Sequence, residues 1–532
     1  MEVPLLVSDF INRAVKLYGP SEAVADGDER WTYAEFGARA NQLGHGLAAL
    51  GVGKGDRVGI LSPNSHHFLE AFYGVASIGA VIVPMNYRLI ADDFDYIINH
   101  VGAKVMLVDS DYTAVIDDLR PKLPTVEHFV VARFADAPLT DGWRDWEDLI
   151  AGRPATAPPD PGLEENDLYS INYTSGTTAR PKGVMLTHRN IYLNAYNFLV
   201  HSRISNEDVE MWTLPMFHAN GWGGPFALTA VGARHVVLRK VDPQAIYRLL
   251  QDEDITFACM APAVLAAILD YPDRGQYNVT TKPRFVVAGA PPPLRFIERL
   301  ETELGWEFVQ GYGLTETSPL LTLAEVKPYI GVDDDGARRI KVRAGHDIIG
   351  VQVRVVDADG NDVPADDEAI GEVIARSNVV FKGYWEQPEE TAKVIVDGWF
   401  HTGDLATVDG HGYINLVDRA KDMIITGGEN VSSIEVEDVL YGHPAVLEAA
   451  VIGVPSERWG ETPLAVVVLR EGAAATAEEI IAHCRDNMAH FKAPSRVEFV
   501  AALPRTATGK LKKFELRETH WQETGASGRR IN

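Results

Sequence analysis

The chain has 532 residues, 46% of them hydrophobic and 23% charged, which is enough apolar material for two or more domains of about 100–200 residues. Its 46 glycines and 30 prolines are near ordinary usage, so disordered and fibrous classes are excluded. A formal charge of -26 opposes nonspecific binding to DNA or anionic lipid, because such binding needs a basic surface. Cys259 and Cys484 form no disulfide framework or paired metal motif, and we expect both to be buried.

The N-terminal residues carry no basic segment ahead of an apolar core, so they do not resemble a signal peptide. No apolar run reaches the roughly 18 residues that a membrane-spanning helix needs. We therefore expect a cytoplasmic protein without a stable membrane anchor and without a nucleic-acid partner. Its oligomeric state stays open, with a homodimer as one alternative.

The first predicted helix begins at a capping box. Thr32 and Glu35 have the spacing in which each side chain satisfies a backbone N–H at a helix start. One helical face then carries the apolar residues Phe36, Ala40, Leu43, Leu47 and Leu50. Gly51 can end this helix.

Strands and helices alternate after this point. The predicted segments are a strand at 57–61, a helix at 66–78, a strand at 80–84 and, later, a strand at 285–289 with a helix at 294–304. Units of this kind imply a parallel sheet, because parallel strands need a crossover connection. A proline-rich linker occupies 152–162.

The pattern changes between 350 and 416, where short strands alternate with Asp/Gly turns. The last 110 or so residues predict a compact α+β unit that begins with a helix capped by Ser432 and Glu435. The predicted fold is therefore α/β. It has a large N-terminal body of parallel-rich sheets with helices, a small β-rich subdomain and a small α+β C-terminal domain.

A polar loop, Tyr173-Thr-Ser-Gly-Thr-Thr-Ala-Arg-Pro-Lys-Gly183, follows an apolar segment. Serine and threonine hydroxyls, accessible backbone N–H groups and a lysine are the groups that a polyphosphate requires. The Walker A pattern cannot be aligned with this loop. Taken alone, the loop is equally consistent with an ordinary polar turn.

Five further motifs follow in order: Gly311-Tyr-Gly-Leu-Thr-Glu-Thr-Ser318, Gly398-Trp-Phe-His-Thr-Gly-Asp404, Asp418-Arg-x-Lys-Asp422, Gly427-Gly-Glu-Asn430 and Pro504-Arg-x-x-x-Gly-Lys510. Together with the polar loop they resemble the adenylate-forming superfamily of acyl-CoA synthetases, peptide adenylation domains and luciferases. The resemblance covers nearly the whole chain. It implies an ATP-dependent, AMP-forming carboxylate–CoA ligase that first makes an acyl-adenylate.

The resemblance also implies roles for individual residues. The implied ATP- and AMP-binding residues are Thr174, Ser175, Gly176, Thr177, Thr178, Lys182, Gly289, Ala290, Pro291, Gly311, Tyr312, Asp404 and Arg419. Among them, Tyr312 is expected to stack on adenine, and Asp404 and Arg419 are expected to bind the ribose. Glu316 is expected to hold Mg²⁺, a hard cation that prefers oxygen ligands. Thr315 is expected to donate to the α-phosphate.

Lys510 is the implied catalytic cation, placed between the carboxylate and the α-phosphate. For thioester formation, the resemblance implies that a mobile C-terminal domain rotates about Lys421, removes Lys510 and brings Gly427 and Gly428 to a pantetheine channel. The expected division is an AMP-binding domain at 1–417, a hinge at 418–421 and a catalytic lid domain at 422–532.

The segment Leu214-Pro-Met-Phe-His-Ala-Asn-Gly-Trp222 is similar to medium-chain fatty-acyl and methylthiopropionate-type CoA ligases. His218, Trp222 and Gly289 are expected to line the acyl pocket, and His218 is also a candidate for assisting the thiol step. In the peptide adenylation domains of the superfamily an aspartate near this position binds the substrate's amino group, and no acidic residue stands there in this chain. The resemblance therefore implies a short- or medium-chain carboxylic acid without an α-amino group.

Two alternatives stay open: an acyl-AMP ligase that loads a free-standing carrier protein, and a nucleotide-binding scaffold without activity. Joint retention of Glu316, Asp404, Arg419 and Lys510 argues against the scaffold. Linear, branched, aromatic and steroid-derived acids all remain candidates. Ala179 replaces the usual loop glycine, which puts nucleotide affinity in doubt more than the reaction class.

Overall fold

The computed structural model describes residues 2–134, 137–174, 180–290, 292–427, 429–456, 458–505 and 511–523. Its α-helices are Ser8–Tyr18, Tyr33–Ala49, His66–Ser77, Ala91–Val101, Thr113–Leu119, Trp146–Ile150, His188–His201, Gly224–Val231, Pro243–Asp252, Pro262–Asp270, Leu294–Arg299, Asp334–Lys341, Pro388–Val394, Ser433–Tyr441, Ala477–Asn487 and Lys513–Glu523. Within these ranges, none of the helices is both long and apolar enough to cross a membrane.

The first predicted helix begins as expected. Thr32 Oγ1 accepts a hydrogen bond from the Glu35 N–H at 3.3 Å, and Glu35 Oε2 accepts one from the Thr32 N–H at 2.8 Å. The capping box is therefore confirmed. The predicted apolar face is buried except at Leu50, the residue beside the C-terminal turn, which is half-buried.

The predicted strand–helix–strand unit lies in a sheet whose strands run parallel from Leu168–Thr174 to Arg144–Asp145. In spatial order the strands of this first sheet are Gly383–Tyr384, Lys182–Thr187, Leu168–Thr174, Val81–Met85, Arg57–Leu61, Val105–Asp109, His128–Ala132 and Arg144–Asp145. The strand at 57–61 has the predicted bounds. The following helix ends one residue early, at Ser77, and the next strand is shifted to Val81–Met85.

A second sheet has six parallel strands between antiparallel edges, counted over the described residues. In spatial order its strands are His346–Asp347, Leu320–Leu323, Glu307–Gly313, Arg284–Val287, Phe257–Met260, Val209–Met211, Arg234–Val237, Glu22–Asp26 and Glu29–Thr32. The predicted strand at 285–289 ends at Val287, because Gly289 has a φ of 92°. The predicted helix at 294–304 is α-helical only to Arg299 and continues as a π-helical turn.

The β-rich region predicted between 350 and 416 is an antiparallel sheet. Its strands are Val351–Val356, Gly371–Ser377, Trp399–Val408, Ile395–Val396 and Ile414–Arg419. The chain leaves this sheet at Arg419 and enters the C-terminal sheet at Ile424, so residues 420–423 connect the two.

The C-terminal unit is a mixed sheet with helices packed on it. Its strands are Glu429–Val431, Ile424–Thr426, Gly460–Leu469, Val446–Ser456 and Arg496–Phe499. Ser432 caps the first helix by accepting from the Glu435 N–H at 3.1 Å. The Glu435 side chain instead pairs with Lys492 at 2.7 Å, so only half of the predicted capping box forms. The α/β class with these three parts is confirmed.

The C-terminal unit touches the N-terminal body through the helix Leu294–Arg299. Arg295 Nη1 donates to the Tyr441 carbonyl at 3.2 Å, and the Phe296 and Tyr441 rings pack edge to face at 5.9 Å. An ion pair between Arg470 and Asp270 at 3.1 Å adds to this contact. Polar and aromatic contacts therefore join the two parts in the described structure.

The second sheet contains a buried carboxyl group that the apolar pattern of the sequence does not predict. Glu210 is fully buried, and neither carboxyl oxygen has a hydrogen-bond partner in the described part of the chain. A Cβ at Gly224 would stand 2.9 Å from Oε2, so the missing side chain makes room for Glu210. Burial first, and then the nearby Asp208 charge, raise the pKa of Glu210 well above its usual value.

We expect Glu210→Met to raise the free energy of unfolding by about 1–3 kcal/mol, the cost of an unsatisfied buried polar group. The raised pKa means that the folded state keeps the Glu210 proton more tightly than the unfolded state. The stability contribution is fully present below the unfolded pKa of about 4.3 and is lost as pH rises through the folded pKa. The increase in the free energy of unfolding caused by Glu210→Met should therefore become larger between pH 5 and pH 8.

Urea unfolding of both proteins at several pH values measures this difference. Met211→Leu, on the opposite face of the same strand, is the matched control and should change stability by less than about 1.5 kcal/mol at every pH. A Glu210→Met protein less stable than the parent would show that the carboxyl is satisfied in solution.

Candidate active site

Three groups of predicted site residues follow the carboxyl ends of parallel strands in the second sheet. His218 and Trp222 follow Val209–Met211, Gly289 and Ala290 follow Arg284–Val287, and Thr315 and Glu316 follow Glu307–Gly313. Because the carboxyl ends of parallel strands lie at one edge of a sheet, the fold gathers these groups along that edge. Ligands of open α/β sheets bind at this edge.

The polar loop begins and ends on two antiparallel strands of the first sheet. Thr174 and Lys182 are direct cross-strand partners, so they stand side by side at its base. Ser175, Gly176, Thr177, Thr178 and Ala179 lie outside the described residues.

Lys182 is held by two residues that the sequence analysis did not find. Its Nζ lies 2.6 Å from Glu390 Oε2 and 4.9 Å from the centre of the Tyr384 ring. The hydrogen bond from Lys182 lowers the pKa of Glu390 to about 2. The Tyr384 hydroxyl in turn donates to Glu316 Oε1 at 2.9 Å. A lysine, a tyrosine and the predicted metal ligand thus form one chain of contacts.

Strand pairing explains why Tyr384 was missed. Gly383 and Tyr384 form an edge strand whose cross-strand partners are Met185 and Val184, some 200 residues earlier. No motif in the sequence marks Tyr384. Only the register of this edge strand brings the Tyr384 hydroxyl to Glu316.

Glu316 lies in a short 3₁₀ turn directly after the strand Glu307–Gly313. The Glu316 carbonyl accepts from the Phe381 N–H at 2.8 Å, which ties the turn to the segment that carries Tyr384. Thr315, in the same turn, is half-buried. Gly311, earlier in that strand, is buried with the Leu320 and Ala288 side chains 3.5 and 3.7 Å from where a Cβ would stand.

Asp404 and Arg419 face each other across two antiparallel strands of the third sheet. Arg419 Nε lies 2.7 Å from Asp404 Oδ1, and the Tyr312 hydroxyl donates to Asp404 Oδ2 at 2.8 Å. Asp404 is 6% exposed, so its two oxygens are held in fixed directions. The Tyr312 hydroxyl thus forms a hydrogen bond with a carboxylate, a contact that the sequence did not predict.

Arg419 is the cation of the cluster that contains Asp404 and Tyr312. Burial lowers the pKa of its guanidinium, but the negative charges of Asp404 and Glu316 and the Tyr312 hydroxyl outweigh that effect and raise it overall. The arrangement therefore combines two cations, Lys182 and Arg419, with the Asp404 and Glu316 carboxylates. Such a set suits a polyphosphate nucleotide with an associated cation.

Two of the acyl-pocket candidates, His218 and Trp222, lie on a left-handed turn. His218 begins it, and Asn220 and Trp222 have φ angles of 47° and 55°. Left-handed backbone costs about 1–2 kcal/mol for each non-glycine residue, so packing must hold the turn. Asn220 donates to Ser170 Oγ at 2.8 Å, and the Trp222 carbonyl accepts from Asn194 at 3.4 Å. The Trp222 ring is thereby fixed in an apolar cluster.

The predicted hinge is bound to the last described helix. Arg517 donates to the Lys421 carbonyl at 3.0 Å and pairs with Asp422. On the other side, Ala420 donates to the Gly403 carbonyl at 3.1 Å. Burial lowers the pKa of Lys421. Lys421 therefore lies between two contacts, one to each domain.

Gly427 follows the hinge by six residues and has a φ of 59°. A Cβ there would stand 3.0 Å from the Trp459 ring, which is 48% exposed. Trp459 is a further residue that the motif analysis missed. Gly428, Pro291 and Lys510 lie outside the described residues.

Comparison with known protein families identifies the family of this chain. The pattern of the AMP-binding enzyme family matches residues 11–385, and that of the AMP-binding enzyme C-terminal domain matches residues 435–510. The chain belongs to the AMP-binding enzyme family. This result confirms the superfamily that the motifs predict.

The sequence similarity to two relatives extends over nearly the whole chain. 4-Hydroxybutyrate–CoA ligase 2 from Metallosphaera sedula is 38% identical over 97% of this chain and 94% of the relative. A long-chain-fatty-acid–CoA ligase from Thermus thermophilus is 38% identical over 98% and 96%. Such full-length relatives confirm the predicted enzyme class, an ATP-dependent carboxylate–CoA ligase that uses ATP and CoA as co-substrates.

Solved structures agree with this assignment. An anthranilate CoA ligase in complex with anthranoyl-AMP superposes with a TM-score of 0.89 at 28% identity, covering 99% of both chains. ATP-bound MatB from Rhodopseudomonas palustris superposes with a TM-score of 0.84 at 30% identity, covering 97% of this chain and 99% of that one.

Proposed function

We propose that this enzyme activates a short- or medium-chain carboxylic acid with ATP and Mg²⁺ to an acyl-adenylate, and then transfers the acyl group to CoA. The observation that carries the proposal is a pair of contact networks, one of Lys182, Tyr384 and Glu316 and one of Arg419 and Asp404. Both reactants of the first step are anions, so a site for them needs fixed cations and carboxylates that hold the sugar and the metal.

Residue roles follow from this chemistry. The two Asp404 oxygens suit the vicinal hydroxyls of ribose, with Arg419 as a neighbouring donor. Thr315 is assigned to the α-phosphate and Lys182 to the β- and γ-phosphates. Lys510 is assigned to the charge that develops between the carboxylate and the α-phosphate.

Mg²⁺ fits the donor set. Glu316 offers a carboxylate, a hard oxygen ligand, and Tyr384 holds its Oε1 in one direction. Among the described residues no hydrogen bond engages Glu316 Oε2, which suits it to a cation that also takes phosphate oxygens. When bound, Mg²⁺ neutralises phosphate charge.

The acid is proposed to be short or medium in chain length, on the strength of the Phe-His-x-Asn-x-Trp segment. The names of relatives cover a wider range of acids. They include 4-hydroxybutyrate, long-chain fatty acids and, for a ligase from Humulus lupulus, 2-methylpropanoate. Some names carry the word peroxisomal, so a cytoplasmic location stays a prediction. A homodimer stays a prediction as well.

The proposed division keeps an AMP-binding domain at 1–417, a hinge at 418–421 and a lid domain at 422–532. Among the described residues, an ion pair between Arg470 and Asp270 and a hydrogen bond from Arg295 to the Tyr441 carbonyl join the lid to the body, and polar contacts of this kind are compatible with a lid that reorients. Gly427 and Gly428 are then proposed to line the pantetheine channel, where side chains would block a narrow passage.

The first experiment follows pyrophosphate release from ATP with acids of two to sixteen carbons, with and without CoA. The proposal expects a maximum at short or medium acids and thioester only when CoA is present. Pyrophosphate release without thioester would instead indicate a carrier-loading ligase. ATP binding without turnover of any acid would indicate an inactive scaffold.

Tyr384→Phe should lower the rate of acyl-adenylate formation about 10-fold, because Glu316 loses the hydroxyl that orients its carboxylate. Orienting partners of metal ligands are typically worth about 10–100-fold. The apparent Mg²⁺ requirement should rise in the same variant. ATP–pyrophosphate exchange at varied Mg²⁺ measures both effects. An unchanged Mg²⁺ profile would contradict this role for Tyr384, and Tyr329→Phe, an exposed tyrosine elsewhere, is the control.

Trp222→Ala should shift the preferred acid toward longer or bulkier chains, since it removes a large ring from the proposed pocket. Each methylene accommodated in an apolar pocket is worth about 1–3 kcal/mol of discrimination. The measurement is kcat/KM for thioester formation across the acid panel. An identical profile in the variant would move the acyl pocket elsewhere.

A further inference from the structure

A second polar cluster lies among residues that the adenylation site does not use. His66 and His67 begin the helix His66–Ser77, and Glu147 lies in the first turn of the helix Trp146–Ile150. One ligand atom from each of these three side chains lies within 4.8 Å of the others. Both histidines are only 8% exposed, whereas the Glu147 side chain is 52% exposed, so the cluster is open to water on the side of the carboxylate.

Asp26 fixes the His66 ring. Asp26 Oδ2 accepts hydrogen bonds from His66 Nδ1 at 2.8 Å and from the His66 backbone N–H at 3.0 Å. The Trp31 ring stacks on the imidazole at 4.1 Å. With Nδ1 donating to a carboxylate, Nε2 keeps its lone pair for a ligand. This carboxylate–histidine arrangement is the one that orients metal-binding histidines.

The distance between His67 and the Glu147 carboxylate suits two ligands of one metal ion. His67 Nε2 lies 3.4 Å from Glu147 Oε1, which is long for a hydrogen bond. Two ligand atoms each about 2.05 Å from a tetrahedral metal ion are about 3.3 Å apart. The observed separation is close to one edge of a metal-centred tetrahedron.

The surrounding charges favour a divalent cation. Asp26, Glu70 and Glu147 supply three carboxylates, and Arg39 pairs with two of them, with Glu70 at 2.6 Å and with Glu147 at 2.6 Å. When both imidazoles are neutral, the cluster has two negative charges in excess. A divalent ion would balance them in a half-buried setting, where unbalanced charge is costly.

Arg39 does not exclude a metal ion. Carboxylates that bind metals are themselves usually hydrogen-bonded by neighbouring donors. Arg39 donates to Glu147 and to Glu70, and Trp146 Nε1 donates to Glu70 at 3.0 Å. These donors would hold the carboxylates in place around the ion.

We propose that His66 Nε2, His67 Nε2 and Glu147 form a binding site for Zn²⁺, supported by Asp26 and Arg39. Two imidazoles and one carboxylate suit this borderline cation, whereas Mg²⁺ prefers oxygen ligands alone. The ion would join the helix His66–Ser77 to the helix Trp146–Ile150. The site is independent of the proposed ligase function.

Calorimetric titration of the untagged, chelator-treated full-length protein with ZnCl₂ tests the proposal. We expect one ion per chain, and four-coordinate Co²⁺ should give visible absorption bands at the same stoichiometry. His67→Ala and Glu147→Gln should each lose at least about 10-fold in affinity and the Co²⁺ bands, and Asp26→Asn about 10–100-fold in affinity. Glu147 is exposed, so its variant guards against misfolding of His67→Ala.

His45→Ala is the matched control, because this histidine lies on the neighbouring helix and contacts only the Thr156 carbonyl among the hydrogen bonds of the described residues. It should bind Zn²⁺ as the parent does. Absence of Zn²⁺ binding would overturn the site. So would His67→Ala and Glu147→Gln variants with parental affinity, or Mg²⁺ binding as tight as Zn²⁺ binding. Each of these readouts is independent of ligase turnover.

Discussion

Lys421→Pro is expected to release pyrophosphate from ATP at nearly the parental rate while thioester formation falls roughly 100-fold or more. Proline fixes φ near −65°, and the proposed lid rotation requires a change of backbone angles at this residue. In the described structure the backbone hydrogen bonds of the hinge use the N–H groups of Ala420 and Asp422, not that of Lys421. The substitution therefore leaves those bonds intact.

The measurement compares the two half-reactions in one preparation: pyrophosphate release with acid alone, and thioester formation from supplied acyl-adenylate and CoA. Lys421→Ala is the matched control, since it removes the same side chain but keeps φ free. It should retain thioester formation. Parental thioester output from Lys421→Pro would refute the hinge.

Lys510→Ala is expected to show the opposite pattern, with acyl-adenylate formation lowered by roughly 10²–10³-fold. Loss of one preorganised charge donor typically costs this much, or about 2.7–4 kcal/mol of transition-state stabilisation. Thioester formation from supplied acyl-adenylate should be affected much less, because the proposed rotation removes Lys510 from the site before that step.

Lys512 offers the control for Lys510. It lies two residues away and pairs with Glu515 at 2.7 Å on the partly exposed start of the last helix. Lys512→Ala should leave both half-reactions within about 3-fold of the parent, as expected for an exposed ion pair worth less than about 1 kcal/mol. Equal damage to both half-reactions in Lys510→Ala would remove the catalytic assignment.

The local features of the fold were predictable. The capping box at Thr32 and the strand at 57–61 match the structure, because both depend on hydrogen bonds and periodicity within a few residues. Errors occurred where tertiary context intervened. Glu435 turns away from its own helix to Lys492, and the strand at 285–289 ends two residues early.

The candidate site was predictable only where motifs mark it. Asp404 and Arg419 lie 15 residues apart in the chain, and both belong to recognisable motifs. Tyr384 and Glu390 belong to none, yet they contact Glu316 and Lys182 directly. Their positions depend on an edge strand that pairs across some 200 residues. A single sequence carries no signal for such a pairing.

The sequence by itself determined the family and the reaction class and predicted the residues with nucleotide chemistry, because short, ordered motifs mark them. Only the tertiary structure decided which side chains orient them. It joined Tyr312 to Asp404, Arg517 to the hinge, and His66 and His67 to Glu147. The physical reason is that motifs record the groups a reaction needs, whereas strand order and helix packing decide which distant groups share one small volume.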